Sequence, residues 1–173
     1  MNSPGAIGTV AGSVTSGGGS KPGNVGWTDE TGMLAQNINP AGRSYLSPVV
    51  SSGAVHGTAD AFWIYGRNFD TSAREVGVLI YDGSANKLLQ VDGFAGSGSN
   101  SWFSIDISGP ALSISASTDY RIGVIGEYAW SNFYRQKGGT GATYNDSAWN
   151  TPPNPFTGTS WGTGSFAMYF TVI

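Results

Sequence analysis

The chain has 173 residues and a formal net charge of −3, and only 11% of its residues are charged whereas 13% are aromatic. An average soluble domain is ~25% charged, and the low charge, the aromatic content and the 27 glycines together favour an all-β domain with tight turns. Because the chain has no cysteine, disulfides and thiolate chemistry are excluded. Its eight Lys and Arg residues are scattered and no apolar run approaches the ~18 residues that span a bilayer, so we expect neither nucleic acid nor a membrane as a partner.

Residues 1–44 are predicted to form an extended, Gly/Ser-rich N-terminal arm that ends in an anchoring segment. Up to residue 26 the chain holds eight Gly, four Ser and a single charge, Lys21, which is too little apolar surface to offset the entropy of ordering. Apolar residues return at Trp27, and a short helical turn near Thr28 is expected to end before Pro40. We expect the arm to bury its surface against neighbouring chains and not against its own sandwich, through Val14, Lys21, Trp27, Met33, Leu34 and Ile38.

From residue 45 onward, strand-like segments follow one another with almost no helical periodicity. EVGVLIYD at 75–82 alternates, the Asp82-Gly83 pair is typical of a turn, and KLLQVDGF at 87–94 is the expected partner strand. The other predicted strands are YLSPVV (45–50), ADAFWIYGRNF (59–69), SWFSIDIS (101–108), ALSISAS (111–117), YRIGVIGEYAW (120–130) and SFAMYFTVI (165–173). Such spacing predicts a single β-sandwich or jelly roll over residues 45–173, closed by the last strand.

Four stretches of the chain carry a resemblance to a known family. They are VGVLIYDGSANKLLQ (76–90), SWFSIDISGPALSISASTDYRIGVIG (101–126), WNTPPNPF (149–156) and the closing FAMYFTVI (166–173). Together they resemble the jelly-roll β-sandwich modules that occur in phage virion proteins and as appended modules of extracellular bacterial proteins. The likeness covers about residues 55–173 and leaves the Gly-rich segment outside. It implies the jelly-roll fold more strongly than it implies any one function.

The sequence offers no group of residues that is typical of an enzyme or a metal site. His56 is the only histidine, and no Gly-x-Ser-x-Gly motif supplies a nucleophile for it. Glu75 and Glu127 could supply two carboxylates, but charges that flank strands are more simply solvent-facing. The aspartates near strand ends form no dense Ca²⁺ loop, so we interpret them as turn formers: Asp70, Asp82, Asp92 and Asp106. We therefore predict no catalytic residue, no cofactor and no metal.

Half of the aromatic residues follow residue 127. Phe166, Tyr169 and Phe170 belong to the last strand and are expected in the core. Six others lie among Gly, Ser, Asn and Pro, in segments too polar for core strands: Tyr128, Trp130, Tyr134, Tyr144, Trp149 and Trp161. In order of preference, we expect them to cap one end of the sandwich and hold a long loop, to contact a protein partner, or to stack on sugar rings.

These observations predict a non-enzymatic structural protein of a bacteriophage virion, either a capsid decoration subunit that stabilises the head or a tail-associated subunit. Its expected partners are neighbouring virion proteins, such as major capsid or tail subunits, and copies of itself. The N-terminus lacks a charged start followed by an apolar core, so we expect assembly in the host cytoplasm and residence in the virion. The alternative is a carbohydrate-binding β-sandwich module that uses exposed Trp and Tyr. The two roles are compatible on a virion that contacts host surface glycans.

Overall fold

The computed structural model describes residues 20–28, 34–38, 42–66, 75–94, 101–127, 130–135, 142–148, 151–160 and 166–173, and for 34–38, 75, 94 and 130–135 it describes the backbone alone. Within these ranges the chain forms strands and no helix. The strands are β1 Gly23–Gly26, β2 Leu34–Ile38, β3 Arg43–Leu46, β4 Val50–Ser51, β5 Gly57–Gly66, β6 Glu75–Asp82, β7 Lys87–Phe94, β8 Ser101–Asp106, β9 Ser113–Ile114, β10 Asp119–Gly126, β11 Trp130–Arg135, β12 Thr143–Asp146, β13 Thr159–Ser160 and β14 Met168–Val172. The predicted strands at 75–82 and 87–94 are confirmed with the same bounds.

The strands form two antiparallel sheets that pack against each other. In the first, which we call sheet I, the order is β1-β14-β5-β8, and β9 also pairs with β5. At the Gly66 end of β5 the sheet continues with β11, which in turn pairs with β2. The second, sheet II, has the order β13-β12-β3-β10-β6-β7, with β4 beside β10. The predicted all-β class with a single sandwich is therefore confirmed.

The core lies between the two sheets and follows from the alternation of side chains along each strand. On β5, Phe62 is 0% exposed and Ile64 is 1% exposed, while Trp63 and Tyr65 point outward. Val78 and its neighbours on β6 and β10 close the core from the side of sheet II. Successive side chains of a strand point to opposite faces, so burying one face of β5 also decides which residues the other face presents.

A second apolar cluster lies on the outer face of sheet II, where residues 151–158 of the same chain cover it. Leu79 and Tyr81 of β6 point away from the main core, yet both are fully buried because Phe156 and its neighbours pack on them. The Phe156 ring meets the Tyr81 ring edge-on at 5.5 Å, and the Tyr81 hydroxyl donates to the carbonyl oxygen of Pro153 at 2.9 Å. Burial raises the pKa of Tyr81 to about 12. Residues 151–158 thus cover the part of this face that Leu79 and Tyr81 occupy.

The N-terminal segment joins the sandwich as its first strand. β1 pairs with β14 along its whole length, and Val25 is 1% exposed within the main core. Trp27 packs against that core, and its backbone N–H donates to Met168 O at 2.8 Å. An unpaired strand edge carries free N–H and C=O groups, and β1 supplies partners for those of β14. The prediction that the arm buries its surface against other chains and not against its own sandwich is therefore wrong for residues 20–28.

Gly26 shows why glycine is required in this segment. Its φ is +137°, a conformation that other residues rarely adopt. A Cβ at this position would lie 2.5 Å from Met168 O and 2.6 Å from Tyr169 Cα, so a side chain would push β1 away from β14. Glycine at this position therefore allows close pairing of two strands, whereas the glycine-rich composition of the segment suggested a free arm.

The predicted boundary between residues 44 and 45 does not separate an arm from the sandwich. β1, β2 and the first two residues of β3 precede residue 45, and all of them pair within the two sheets. Lys21 exchanges two backbone hydrogen bonds with His56, at 2.8 and 3.2 Å. Of the other predicted contact residues, Leu34 and Ile38 are the first and last residues of β2. Val14, Met33 and most of the expected helical turn lie outside the described residues.

Val25→Ala is expected to lower the free energy of unfolding by about 2 kcal/mol, because it removes two methyl groups from a packed core. Asn24→Ala, on the exposed side of the same strand, is the matched control and should change it by less than about 0.5 kcal/mol. Urea unfolding followed by tryptophan fluorescence measures both. If Val25→Ala changed the free energy of unfolding as little as Asn24→Ala, β1 would not be docked on β14 in solution.

Phe156→Ala is expected to lower the free energy of unfolding by about 3 kcal/mol, since the side chain is only 7% exposed. Tyr81→Phe should cost about 1 kcal/mol, because it removes the donor to Pro153 and keeps the ring. Leu88→Ala, at a side chain that is 42% exposed, is the control in the same unfolding experiment. If Phe156→Ala lowered the free energy of unfolding no more than Leu88→Ala does, residues 151–158 would not be packed on sheet II.

Candidate binding face

Of the six aromatic residues that the sequence singles out, only Tyr144 has a described side chain. Trp130 and Tyr134 lie on β11, which pairs with β2. Tyr128, Trp149 and Trp161 lie outside the described residues. The side-chain environment can therefore be described for Tyr144 alone among these six residues.

Tyr144 lies on β12, next to the edge strand β13 of sheet II, beneath an ion pair. The Arg43 guanidinium lies 4.4 Å from the centroid of the Tyr144 ring. Arg43 binds Asp146 through two hydrogen bonds, and the one from its terminal nitrogen to Oδ2 is 2.8 Å long. These bonds raise the pKa of Arg43 and lower the pKa of Asp146. The Tyr144 ring also packs against the main core, 6.3 Å from the Tyr45 ring. The Tyr144 ring is thus held between the Arg43 guanidinium and the core, which is the position expected of a residue that caps the sandwich.

A different set of aromatic side chains comes together on the outer face of sheet I. Trp63 and Tyr65 project from β5, Trp102 projects from β8 and Tyr169 projects from β14, and all four are half-buried. The strand register places Tyr169 opposite Trp63 and Trp102 opposite Tyr65. We call these four side chains the aromatic face.

The four rings of the aromatic face form one continuous chain of contacts. The ring centroids of Trp63 and Tyr169 are 6.1 Å apart and their planes differ by 9°. Trp102 meets Tyr169 at 5.2 Å and 63°, and Tyr65 meets Trp102 at 5.4 Å and 60°. Edge-to-face and offset parallel contacts are the favourable arrangements for aromatic pairs. The rings are therefore held in position by one another as well as by their strands.

The indole nitrogen of Trp63 is buried and has no hydrogen-bond partner within the part of the chain that the structure describes. Leaving a buried donor unpaired costs about 1–3 kcal/mol, and the large majority of such groups in proteins are paired. The acceptor for this buried nitrogen therefore has to come from outside the described residues, either from the rest of the chain or from an ordered water.

Hydroxyl and carboxylate groups border the aromatic face. Thr171 lies beside Asp60, with its hydroxyl oxygen 3.4 Å from Oδ2 of that residue. Ser104 and Asp106 lie on the outward side of β8, and both are exposed. The Asp106 carboxylate accepts a hydrogen bond from the backbone N–H of Ser108 at 2.9 Å, which lowers its pKa and keeps it ionised at neutral pH. Since β1, β5, β8 and β14 contain no Lys or Arg, the charge that these strands contribute is acidic.

Sequence reasoning did not identify the aromatic face, and its placement of Tyr169 in the core is wrong. Tyr169 points outward, and partial burial raises the pKa of its hydroxyl. Phe166 and Phe170 are buried as expected. The available signal was the alternation of β8, because Trp102 shares its side of that strand with Ser104 and Asp106, whereas on β14 only Thr171 marks the outward side. Aromatic residues on the polar side of a strand indicate a surface cluster.

Within the described ranges the structure has no cavity, no group of three His, Cys, Asp or Glu side chains that could hold a metal ion, and no helix long and apolar enough to cross a membrane. The Asp82 carboxylate accepts hydrogen bonds from the side chain and backbone of Asn86, at 2.9 and 2.8 Å, which lowers its pKa and holds the turn between β6 and β7. His56 contacts the carbonyl oxygen of Ala54 through Nδ1 at 3.1 Å.

No protein-family model matches the chain, and neither a curated protein nor a solved structure matches it. What the aromatic face can bind therefore has to follow from its own residues.

Asp146→Asn is expected to weaken the fold in a pH-dependent way. Because Arg43 lowers the pKa of Asp146 below its ordinary value of 3.8, the pair stabilises the folded state above that pH. The stabilisation is lost as the pH falls through the folded-state pKa. At pH 7 the free energy of unfolding of the variant should be about 0.5 kcal/mol lower than that of the wild type. The difference is small because solvent screens an ion pair this exposed.

Urea unfolding at a series of pH values measures the difference between Asp146→Asn and the wild type. The two proteins should converge once the pH lies below the folded-state pKa of Asp146. In an Arg43→Gln background, which serves as the control, the same substitution should have no pH-dependent effect. A difference that persists in acid, or that survives in the Arg43→Gln background, would contradict the assignment of this pair.

Proposed function

We propose that this chain is a non-catalytic structural protein of a bacteriophage virion, a capsid decoration or tail-associated subunit, that presents its aromatic face to a partner. The resemblance of residues 55–173 to jelly-roll modules of phage virion proteins supports the virion setting. The all-β sandwich is the fold that this resemblance implies, and its two antiparallel sheets are compatible with it.

The observation that carries the proposal is the difference between the two outer faces of the sandwich. Residues 151–158 cover the outer face of sheet II, where Phe156 and Tyr81 are both buried. The outer face of sheet I instead presents four aromatic side chains that are only half-buried. Trp and Tyr are among the residues that most often dominate the binding energy of an interface. We therefore expect the affinity for a partner to lie on sheet I.

Attachment to the particle belongs, in this proposal, to residues 1–19. Residues 20–28 contribute a strand and a core side chain to the sandwich, so they are not available as a free arm. Residues 1–19, which include Val14, keep their predicted role of contacting neighbouring virion proteins and copies of this chain. A segment that becomes ordered on its neighbours adds contacts to an assembly and slows dissociation.

Mass spectrometry of purified particles of the phage that encodes the chain should find it as a structural component. Deletion of residues 1–19 is expected to reduce its amount on particles at least ~10-fold, because the tether is lost. Leu88→Ala, at an exposed side chain outside the aromatic face, should be incorporated at the wild-type level and is the control, and urea unfolding should confirm that both variants fold. Absence of the chain from particles, while it accumulates in the lysate, would contradict the proposal.

A further inference from the structure

We propose that the aromatic face is a binding site for an uncharged saccharide chain. The inference rests on the proposed function for its setting, a virion subunit that contacts a cell surface, whereas the site itself is argued from the geometry of sheet I.

The shape of the aromatic face suits an extended ligand. Its rings span three adjacent strands, from Tyr169 on β14 through Trp63 on β5 to Trp102 on β8. The described residues form no cavity there that would enclose a compact small molecule. Sugar rings carry C–H groups on their faces, and the negative π-face of an aromatic ring attracts such groups. A chain of sugars laid across the strands would meet several rings in succession.

The polar groups of the region match the hydroxyl groups of sugars, which both donate and accept. Asp106 and Asp60 offer carboxylate oxygens, and Ser104 and Thr171 offer hydroxyl groups. An apolar protein surface laid over the same region would cover the exposed Ser104 hydroxyl and Asp106 carboxylate without offering them hydrogen-bond partners, which costs free energy. The donor and acceptor pattern therefore favours a saccharide over an apolar protein partner.

The charge of the face selects among saccharides. The carboxylates of Asp60 and Asp106 lie on its border, and the strands that carry its rings, β5, β8 and β14, contain no Lys or Arg. Among the described strands of sheet I, the one basic residue is Arg135, at the end of β11. An acidic polysaccharide, or a second copy of the same face, would bring negative charges together at this border, which is unfavourable. An uncharged saccharide avoids this repulsion.

Affinity electrophoresis in native gels tests the inference with the full chain and soluble polysaccharides. Dextran, laminarin, galactomannan and xyloglucan are the uncharged probes, and alginate and polygalacturonate are the acidic probes. At least one uncharged probe should retard the protein, and the acidic probes should not. Trp102→Ala and Tyr169→Ala are each expected to weaken binding about tenfold, and Trp102→Phe by less because it keeps a ring. Leu88→Ala, which shortens an exposed apolar side chain on sheet II, should bind like the wild type.

Three results would overturn the inference. One is that no uncharged polysaccharide retards the wild-type chain, and another is that retardation persists in both alanine variants after urea unfolding has shown them to be folded. The third is a dimer, seen by sedimentation equilibrium, that Trp102→Ala dissociates, because the face would then pair two copies of the chain. Saccharide binding by a chain that is absent from particles would refute only the proposed function. A chain that is present in particles but binds no saccharide would refute only this inference.

Discussion

The alternation of side chains along β5 is the constraint on which both the core and the aromatic face depend. β14 pairs with one edge of this strand and β8 with the other, so two ladders hold it in one register. A slip by one residue would place Trp63 and Tyr65 between the sheets and Phe62 and Ile64 in solvent. Burying two apolar side chains in the core therefore also fixes two rings of the aromatic face. The fold and the candidate site are consequences of the same pairing.

The N-terminal strand supports the same arrangement from the other side of β14. Gly26 lies opposite Tyr169 and approaches the backbone of that residue more closely than any side chain would allow. β1 thereby covers the open edge of β14, the strand from which Tyr169 projects. Because these rings are mounted on paired strands and not on loops, little conformational freedom remains to be lost when a ligand binds. A segment that resembles a linker in composition thus helps to hold the aromatic face rigid.

The parts of the fold that could be predicted from the sequence are those where local pattern and tertiary structure agree. β6 and β7 alternate and meet at an Asp-Gly turn, so their bounds follow from the residues alone. β1 has no such pattern, because GNVG is stabilised by pairing with β14 and by burial of Val25. Tyr169 lies in an almost wholly apolar run, FAMYF, where alternation is hard to detect. Tyr81 is buried on an outward side only because the distant Phe156 packs on it. Such contacts depend on the three-dimensional arrangement, and no local pattern reports them.

Residues 151–158 cover the outer face of sheet II around Tyr81, whereas the rings of the aromatic face on sheet I are only half-buried among the described residues, and the proposed function depends on this difference. Hydroxyl-radical footprinting with mass spectrometry tests it on the unliganded full chain. Trp63, Trp102 and Tyr169 are expected to be oxidised several times faster than the buried Tyr81 of sheet II and the buried Phe156 that covers it. Oxidation of Trp102 and Tyr169 at rates as low as that of Tyr81 would show that the face is closed, and would contradict the account.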